Sequence, residues 1–338
     1  MNILVTGGAG YIGSVLLPEL VKDGHYVKCL DRFFFGNEYL SQKQFEGKIE
    51  LIRDDIRWFN PEILKNVEIV MDLAALSNDP VGALAPEKTY QINHMGRARV
   101  AKLCKEIGVK KYILASSASV YGQQNETVNE ESKVNPITDY SKANRNAEQD
   151  ILKLNDKDFC VTVLRFSSVY GVSPRMRFDI SVNSMVLDLF KSHLIVVRGK
   201  NNNRPFIHIK DAVKAYQKAI EAPSKIISGQ IFNVGSDEQN YKMGEIAENI
   251  IKAIGIECKL ELGDTNDHRS YITSFKKIRD SIGFVTQFSI SDGAKEIYNA
   301  LATNQLDESM KTITLDWYKH IQSDQSLFNE LHINKQIL

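Results

Sequence analysis

The sequence has no excess of either charge: 42 Lys plus Arg stand against 42 Asp plus Glu in 338 residues, a formal net charge of zero. A general nucleic-acid binder, or a protein held to acidic membranes, normally carries a basic excess, so no nucleic acid and no membrane is expected as a partner. No apolar run approaches the roughly 18 residues that span a bilayer. The first residues form a strand-like segment, with no basic stretch leading into an apolar one and a small-residue cleavage site, which makes the cytoplasm the expected location. Cysteine is scarce. Cys29, Cys104, Cys160 and Cys258 lie far apart with no CxxC spacing, a pattern of free thiols rather than a disulfide frame or zinc site, and no metal is expected. There is also no Pro/Gly/Ser-rich linker, low-complexity tract or internal repeat, so no flexible hinge is expected between parts of the chain.

What is present is alternation. Short apolar runs at residues 2–6, 26–30, 49–52, 68–73, 111–115 and 160–165 read as strands. Between them lie helical stretches, notably 12–23, 86–107 and 139–154. Strands separated by helices imply right-handed βαβ crossovers and a doubly wound parallel sheet covered on both faces, an α/β class. After about residue 172 short strands (195–197, 207–209, 231–234) mix with helices near 180–191, 210–221 and 243–253, which implies a smaller lobe packed on the sheet. Residues 323–338 are polar and sparsely apolar and read as a loosely held tail.

Between the first strand and first helix stands Thr6-Gly7-Gly8-Ala9-Gly10-Tyr11-Ile12-Gly13. Its GxxGxxG spacing meets three demands: a tight turn, backbone able to touch a pyrophosphate, and close helix–strand packing. The unpaired amides and partial positive charge of the helix N-terminus then face the phosphates, so the turn predicts a dinucleotide site. Asp31 ends the second strand, where a carboxylate accepts hydrogen bonds from the adenosine ribose and repels a 2′-phosphate, favouring NAD. Arg32 follows directly and is a residue type that pairs with phosphate, which keeps NADP in view.

With those residues in place, the chain resembles the extended short-chain dehydrogenase/reductase superfamily, in its UDP-galactose 4-epimerase-like nucleotide-sugar epimerase/dehydratase branch. The resemblance runs over about residues 1–285. It continues through Asp54-Asp55-Ile56, Leu73-Ala74-Ala75, Asn93 within Tyr90–Gly96, Ser116–Gly122, Tyr140-Ser141-Lys142, Leu164–Gly171, Arg204–Asp211 and Arg269-Ser270-Tyr271. It implies a Rossmann-type domain over 1–172 with returning segments about 204–235, and a substrate lobe interleaved over 173–322. It further implies NAD held by Gly7, Gly10, Tyr11, Ile12, Gly13, Asp31, Arg32, Asp55, Ile56, Leu73, Ala74, Ala75, Asn93 and Tyr140. By analogy with relatives, a homodimer forms through the helices near 90–107 and 140–154.

Such enzymes take a hydride from a sugar carbon to give a transient ketone. The hydroxyl proton needs a base, and a free phenol with pKa near 10 is too reluctant at neutral pH. In the family a lysine four residues after the tyrosine, one helical turn away on the same face, favours the tyrosinate. The resemblance makes Tyr140 the base and Ser117 the supporting hydroxyl. Here the lysine position holds Asn144, which carries no charge. Lys142 is no substitute, because two residues turn a helix by about 200°. Three accounts of Asn144 stay open: an introduced substitution, a natural enzyme with a weakened base, and a protein that binds without turnover.

The resemblance also bears on the reaction. Dehydratases of this branch carry Asp-Glu directly after the active-site hydroxyl, and the decarboxylases commonly a glutamate at the second position; here those positions are Ala118 and Ser119. Epimerisation, most often at C4, is the leading expectation, with NAD-dependent oxidation or reduction of the same substrates as the alternative. A nucleotide-diphosphate sugar is the expected ligand, its diphosphate gripped by Arg204 and Arg269 and its other contacts drawn from Ser77, Asn78, Ser117, Ser119, Ser168 and Arg177. His208, in an alternating strand, reads as structural.

Overall fold

The computed structural model describes residues 1–338 apart from Asn266 and Asp307. The strands are β1 (Asn2–Thr6), β2 (Tyr26–Asp31), β3 (Ile49–Arg53), β4 (Ile69–Asp72), β5 (Lys111–Ser117), β6 (Gln123–Val128) and β7 (Cys160–Phe166), then β8 (Ser168–Tyr170), β9 (Leu194–Arg198), β10 (Asn203–His208), β11 (Gln230–Val234), β12 (Asn240–Lys242), β13 (Lys259–Gly263) and β14 (Ser270–Thr273). The helices are α1 (Gly13–Lys22), α2 (Asp79–Leu84), α3 (Pro86–Tyr90), α4 (Arg97–Ile107), α5 (Asp139–Leu152), α6 (Ser181–Ser192), α7 (Ile209–Glu221) and α8 (Ser224–Ile227), then α9 (Met243–Ile254), α10 (Lys276–Ile282), α11 (Ile290–Ala302), α12 (Thr314–Ser323) and α13 (Gln325–Leu331).

Seven strands form one sheet in the order β11-β7-β5-β4-β1-β2-β3, and every neighbouring pair is parallel. Parallel strands covered on both faces are apolar throughout, and β7 is buried along its whole length. One face packs α1 and α7 through Leu16, Leu17, Leu20 and Tyr216, the other α4 and α5 through Val100, Cys104, Ala147 and Ile151. The chain runs outward from β1 to β3 and then returns to place β4 on the other side of β1. That reversal leaves a crevice beyond the carboxyl ends of β1 and β4, where open α/β sheets bind ligands. A second core, built from α6, α9, α11 and the β9–β13 pair, forms the smaller lobe.

Three elements differ from the sequence reading. Residues 86–107 are not one regular helix: α3 and α4 flank a π-helical turn over Gln91–Gly96. The strand read at 207–209 spans Asn203–His208, and His208 caps α7 by accepting from the Lys210 amide (3.3 Å). The tail is not loose. Residues 325–331 are helical, and Ile337 and Leu338 are buried beside Phe34, Trp317 and Tyr318. Polar composition misled there because the tail is fixed by its carbonyls, which accept from the buried Arg32. Among the described residues no helix is long and apolar enough to cross a membrane, and no cluster of ligating side chains could hold a metal. All four cysteines are free, and three of them are buried.

Candidate active site

A cavity of about 550 Å³ occupies the crevice. The glycine turn lines it. Gly7 has φ +67°, and a Cβ there would sit 2.7 Å from the Ala74 backbone; at Gly13 it would sit 2.4 Å from the Gly8 carbonyl. Only glycine lets this turn lie against β4 and α1. Asp31 braces the turn, accepting from the amides of Ala9 (2.9 Å) and Phe33 (2.8 Å). Burial pushes its carboxyl up, and those amides oppose the shift. Tyr11 ties the turn to the small lobe by donating to the Gly171 carbonyl (2.6 Å) and accepting from Asn183 Nδ2 (3.0 Å).

Gly7, Gly10, Tyr11, Ile12, Gly13, Asp31, Arg32, Asp55, Ile56, Leu73, Ala74 and Ala75 all line this cavity. Asn93 does not. It lies beneath the loop after β4, bonding both the amide (2.8 Å) and the carbonyl (2.9 Å) of Leu76, so it shapes the cofactor loop from behind. Arg32 is committed elsewhere, to Asp55 Oδ2 (2.7 Å) and the carbonyls of Gln336 (2.9 Å) and Leu331 (3.2 Å). Asp31 stands beside it, where a carboxylate repels a 2′-phosphate, so the pocket suits NAD.

Arg175 lines the cavity as well. It is buried, stacks on Phe35 at 3.6 Å, bonds Thr314 Oγ1 (3.0 Å) and leaves Nε without a partner. Burial pulls its guanidinium down to about 10, with Arg177 adding repulsion. No carboxylate among the described residues pairs with it. An unpaired buried cation at the wall of this cavity suits a diphosphate, and together with the glycine cradle it fits a dinucleotide. Gly7→Ala is accordingly expected to weaken NAD binding more than about tenfold, from backbone strain of about 2 kcal/mol. Isothermal calorimetry checks this, and unchanged affinity in a folded variant would count against the cradle.

Tyr140 and Ser117 line the same cavity. Thr138 caps α5, its hydroxyl accepting from the Ser141 amide (3.2 Å), and this sets Tyr140 in the first helical turn. Gly82 of α2 lies against the start of the Tyr140 side chain: a Cβ there would lie 3.2 Å from Tyr140 Cβ. Ser117 closes β5 and accepts from the Ser119 amide (3.1 Å). Burial pushes the Tyr140 phenol up, while the charge of Arg97 and the Ser117 and Asn144 side chains favour its ionised form. Asn144 is buried and does not line the cavity. Its Nδ2 donates to the Tyr140 carbonyl (3.0 Å), and its Oδ1 accepts from Arg97 Nη1 (2.9 Å). Arg97 was missed from the sequence altogether. Lys142 is exposed, and Arg145 is taken up by Glu148 (2.9 Å).

Ser77, Asn78, Ser117, Ser119, Ser168, Arg177, Arg204 and Arg269 also reach the cavity. Arg269 is aimed by Asp267 (2.8 and 2.6 Å) and Asp79. Arg204 bonds Asp267 (3.2 Å) and lies over the Tyr271 ring. Arg177 is clamped by Asp179 (2.9 and 3.0 Å) and donates to Ser77 Oγ (3.1 Å). Asn78 caps α2, accepting from Val81 (2.9 Å), and donates to Asp179 (2.9 Å), which leaves it little capacity for a sugar. Ser119 Oγ is buried without a partner and faces the cavity. His208 is structural, fully buried with Nε2 2.8 Å from Glu296.

Residues 3–235 match the family model described as the NAD dependent epimerase/dehydratase family. The chain is similar to the UDP-glucose 4-epimerase of Lactobacillus helveticus, 28% identical over 312 residues that cover 84% of this chain and 92% of that protein. It is also similar to UDP-glucuronic acid decarboxylase 1 of Arabidopsis thaliana, 27% identical over 321 residues, 91% of this chain and 71% of that one. Its fold matches that of UDP-glucuronic acid 4-epimerase from Bacillus cereus, solved with UDP-glucuronic acid and NAD, with TM-score 0.80 at 23% identity over 90% of this chain and 100% of that one.

Proposed function

The chain belongs to the NAD dependent epimerase/dehydratase family, and from that premise we propose that it epimerises a nucleotide-diphosphate sugar, a UDP-sugar at C4, through a transient ketosugar. Bound NAD supplies the hydride acceptor and donor. The Tyr140 phenolate takes the proton of the reacting hydroxyl, and the Ser117 hydroxyl holds that oxygen in line. When the ketone turns its other face and the hydride returns, Tyr140 gives the proton back, so the sugar is inverted with no net oxidation. Elimination of water or carbon dioxide asks for further acid or base groups beside Ser117, and Ala118 and Ser119 offer none. That feature separates this reading from the dehydratase and decarboxylase branches.

The observation that carries the proposal is one cavity lined both by the glycine cradle and by Tyr140 and Ser117. Arg204 and Arg269 on the small-lobe side suit a substrate diphosphate, each aimed by carboxylates. We assign residues 1–172 with the returning stretch about 204–235 to the cofactor and 173–322 to the substrate; the return of β11 to the main sheet supports that division. We also include a homodimer through the α4 and α5 face. Exposed Met95 and Ile107 on that side support it, and sedimentation reads it directly.

The test is a panel of UDP-, GDP-, CDP- and dTDP-sugars, read by product stereochemistry and by absorbance of reduced nicotinamide. An inverted sugar without net NADH supports the proposal. Accumulating NADH with a ketosugar would make the chain a dehydrogenase instead. Tight NAD binding with every sugar unchanged would overturn it in favour of a binding protein.

A further inference from the structure

The position one turn after Tyr140 has lost its charge, yet the pocket has not. Asn144 presents Oδ1 to Nη1 of Arg97 at 2.9 Å, and Arg97, only 1% exposed, reaches the cavity wall that Asn144 does not. Arg97 comes from a different helix. It opens α4 directly after the π-helical turn Gln91–Gly96, a distortion often found where a helix presents a functional side chain. Its Nε donates to the Ala74 carbonyl (2.9 Å), and Nη2 lies 3.4 Å from the Asp72 carbonyl. A guanidinium has five N–H donors, so these bonds fix the fork without exhausting it.

Burying a guanidinium is costly unless it is compensated. Asp72 gives only partial compensation. Its carboxylate is 3.9 Å from Arg97 Nε and is occupied by the hydroxyls of Thr6 (2.5 Å) and Tyr112. Much of the Arg97 charge is therefore left uncompensated at the wall of the cavity that Tyr140 also lines. Asn144 acts on that charge as a neutral acceptor, steering an arginine from α4 toward Tyr140.

We propose that Arg97, oriented by Asn144, is the positioning residue that supplies the positive charge needed by the Tyr140 base, in place of a lysine at residue 144. This rests on the epimerase reading for the role of Tyr140, but the charge relation stands on its own. Several other groups face the phenol. Asp79 of α2, itself paired with Arg269, opposes ionisation. Arg177 favours it, and the neutral rings of Tyr216 and Tyr271 lie close by. Arg97 is a cation of this cavity that acts on the phenol and that no carboxylate holds at hydrogen-bonding distance.

The experiment titrates Tyr140 itself, as the tyrosinate absorbance that disappears in Tyr140→Phe, in NAD-loaded protein. Arg97→Gln keeps a donor for Asn144 and removes the charge. It is expected to move the Tyr140 midpoint up by about one pH unit or more, and to move the acid limb of kcat by the same amount with KM little changed. Arg97→Gln combined with Asn144→Lys returns the charge by the ordinary route and brings the midpoint back. Should Arg97→Gln not fold, Arg97→Lys is the second variant; it is expected to hold the midpoint within about half a unit, and a shift as large as a full charge loss would overturn the proposal. An unmoved midpoint in folded, NAD-binding Arg97→Gln would also overturn it. If the midpoint follows residue 97 while no nucleotide sugar reacts, the epimerase reading fails and this inference survives. Turnover with an unmoved midpoint has the opposite meaning.

Discussion

Tyr140→Phe is expected to lower turnover by about 10²- to 10⁴-fold, the contribution of a positioned general base. Two other groups of the cavity are poor replacements. Ser117 is an unactivated hydroxyl, and Asp79 is drawn off by Arg269 and by the Thr138 hydroxyl, from which it accepts (2.5 Å). Only the hydroxyl is removed and the Cβ contact with Gly82 is kept, so NAD affinity should change little. In the proposed mechanism the working form of Tyr140 is the ionised one, so wild-type turnover should fall as pH drops through the phenol's midpoint. Burial raises that midpoint and the Arg97 charge brings it down. A pre-steady-state assay of nicotinamide reduction separates this chemical loss from any change in binding. Retention of more than a tenth of the activity would remove Tyr140 from the role.

The second large effect concerns stability. Glu148, eight residues along α5 from the base, is fully buried and bonds Arg165 twice (2.8 and 2.7 Å) and Ser116 once (2.6 Å). Arg165 in turn reaches Tyr121 Oη (2.9 Å). This network ties α5 to β5 and β7 and so fixes the height of Tyr140 over the sheet. Glu148→Gln strands a buried guanidinium and is expected to cost about 3–5 kcal/mol, as removal of one partner of a buried pair does. Burial alone would raise the Glu148 carboxyl, but Arg165, Ser116 and Arg145 outweigh it and hold it below the usual range. A depressed folded value means the contribution is complete above the unfolded carboxyl's pKa of about 4.3 and fades as pH falls through the folded one. Urea unfolding should show a wide gap between wild type and Glu148→Gln at neutral pH that narrows in acid. A gap independent of pH would mean the pair is not what stabilises α5.

The sequence carried the cofactor half of the site because its signals are local. A glycine turn must follow a strand and precede a helix, and an acid must end the next strand, so Gly7, Gly13 and Asp31 were legible from spacing. Tyr140 and Ser117 were legible through ordered motifs. Arg97 was not, because a lone arginine in an amphipathic stretch carries no sign that α4 and α5 will bury it against residue 144. Arg175 was not legible either, because its missing partner is a property of packing. The tail was misjudged for a related reason, since backbone carbonyls that satisfy Arg32 leave no trace in composition. Asn144 was noticed as a loss, and its use as a hydrogen-bond acceptor emerges only once the helices are packed.

The most direct measurement uses UDP-glucose and UDP-glucuronate deuterated at C4, incubated with the NAD-loaded protein and read by NMR. One of them is expected to be inverted at C4 with its deuterium kept on that carbon and no reduced nicotinamide building up. Inversion with the label lost to solvent water, or both sugars left untouched by protein saturated with NAD, would contradict a hydride taken from and returned to C4 on this chain.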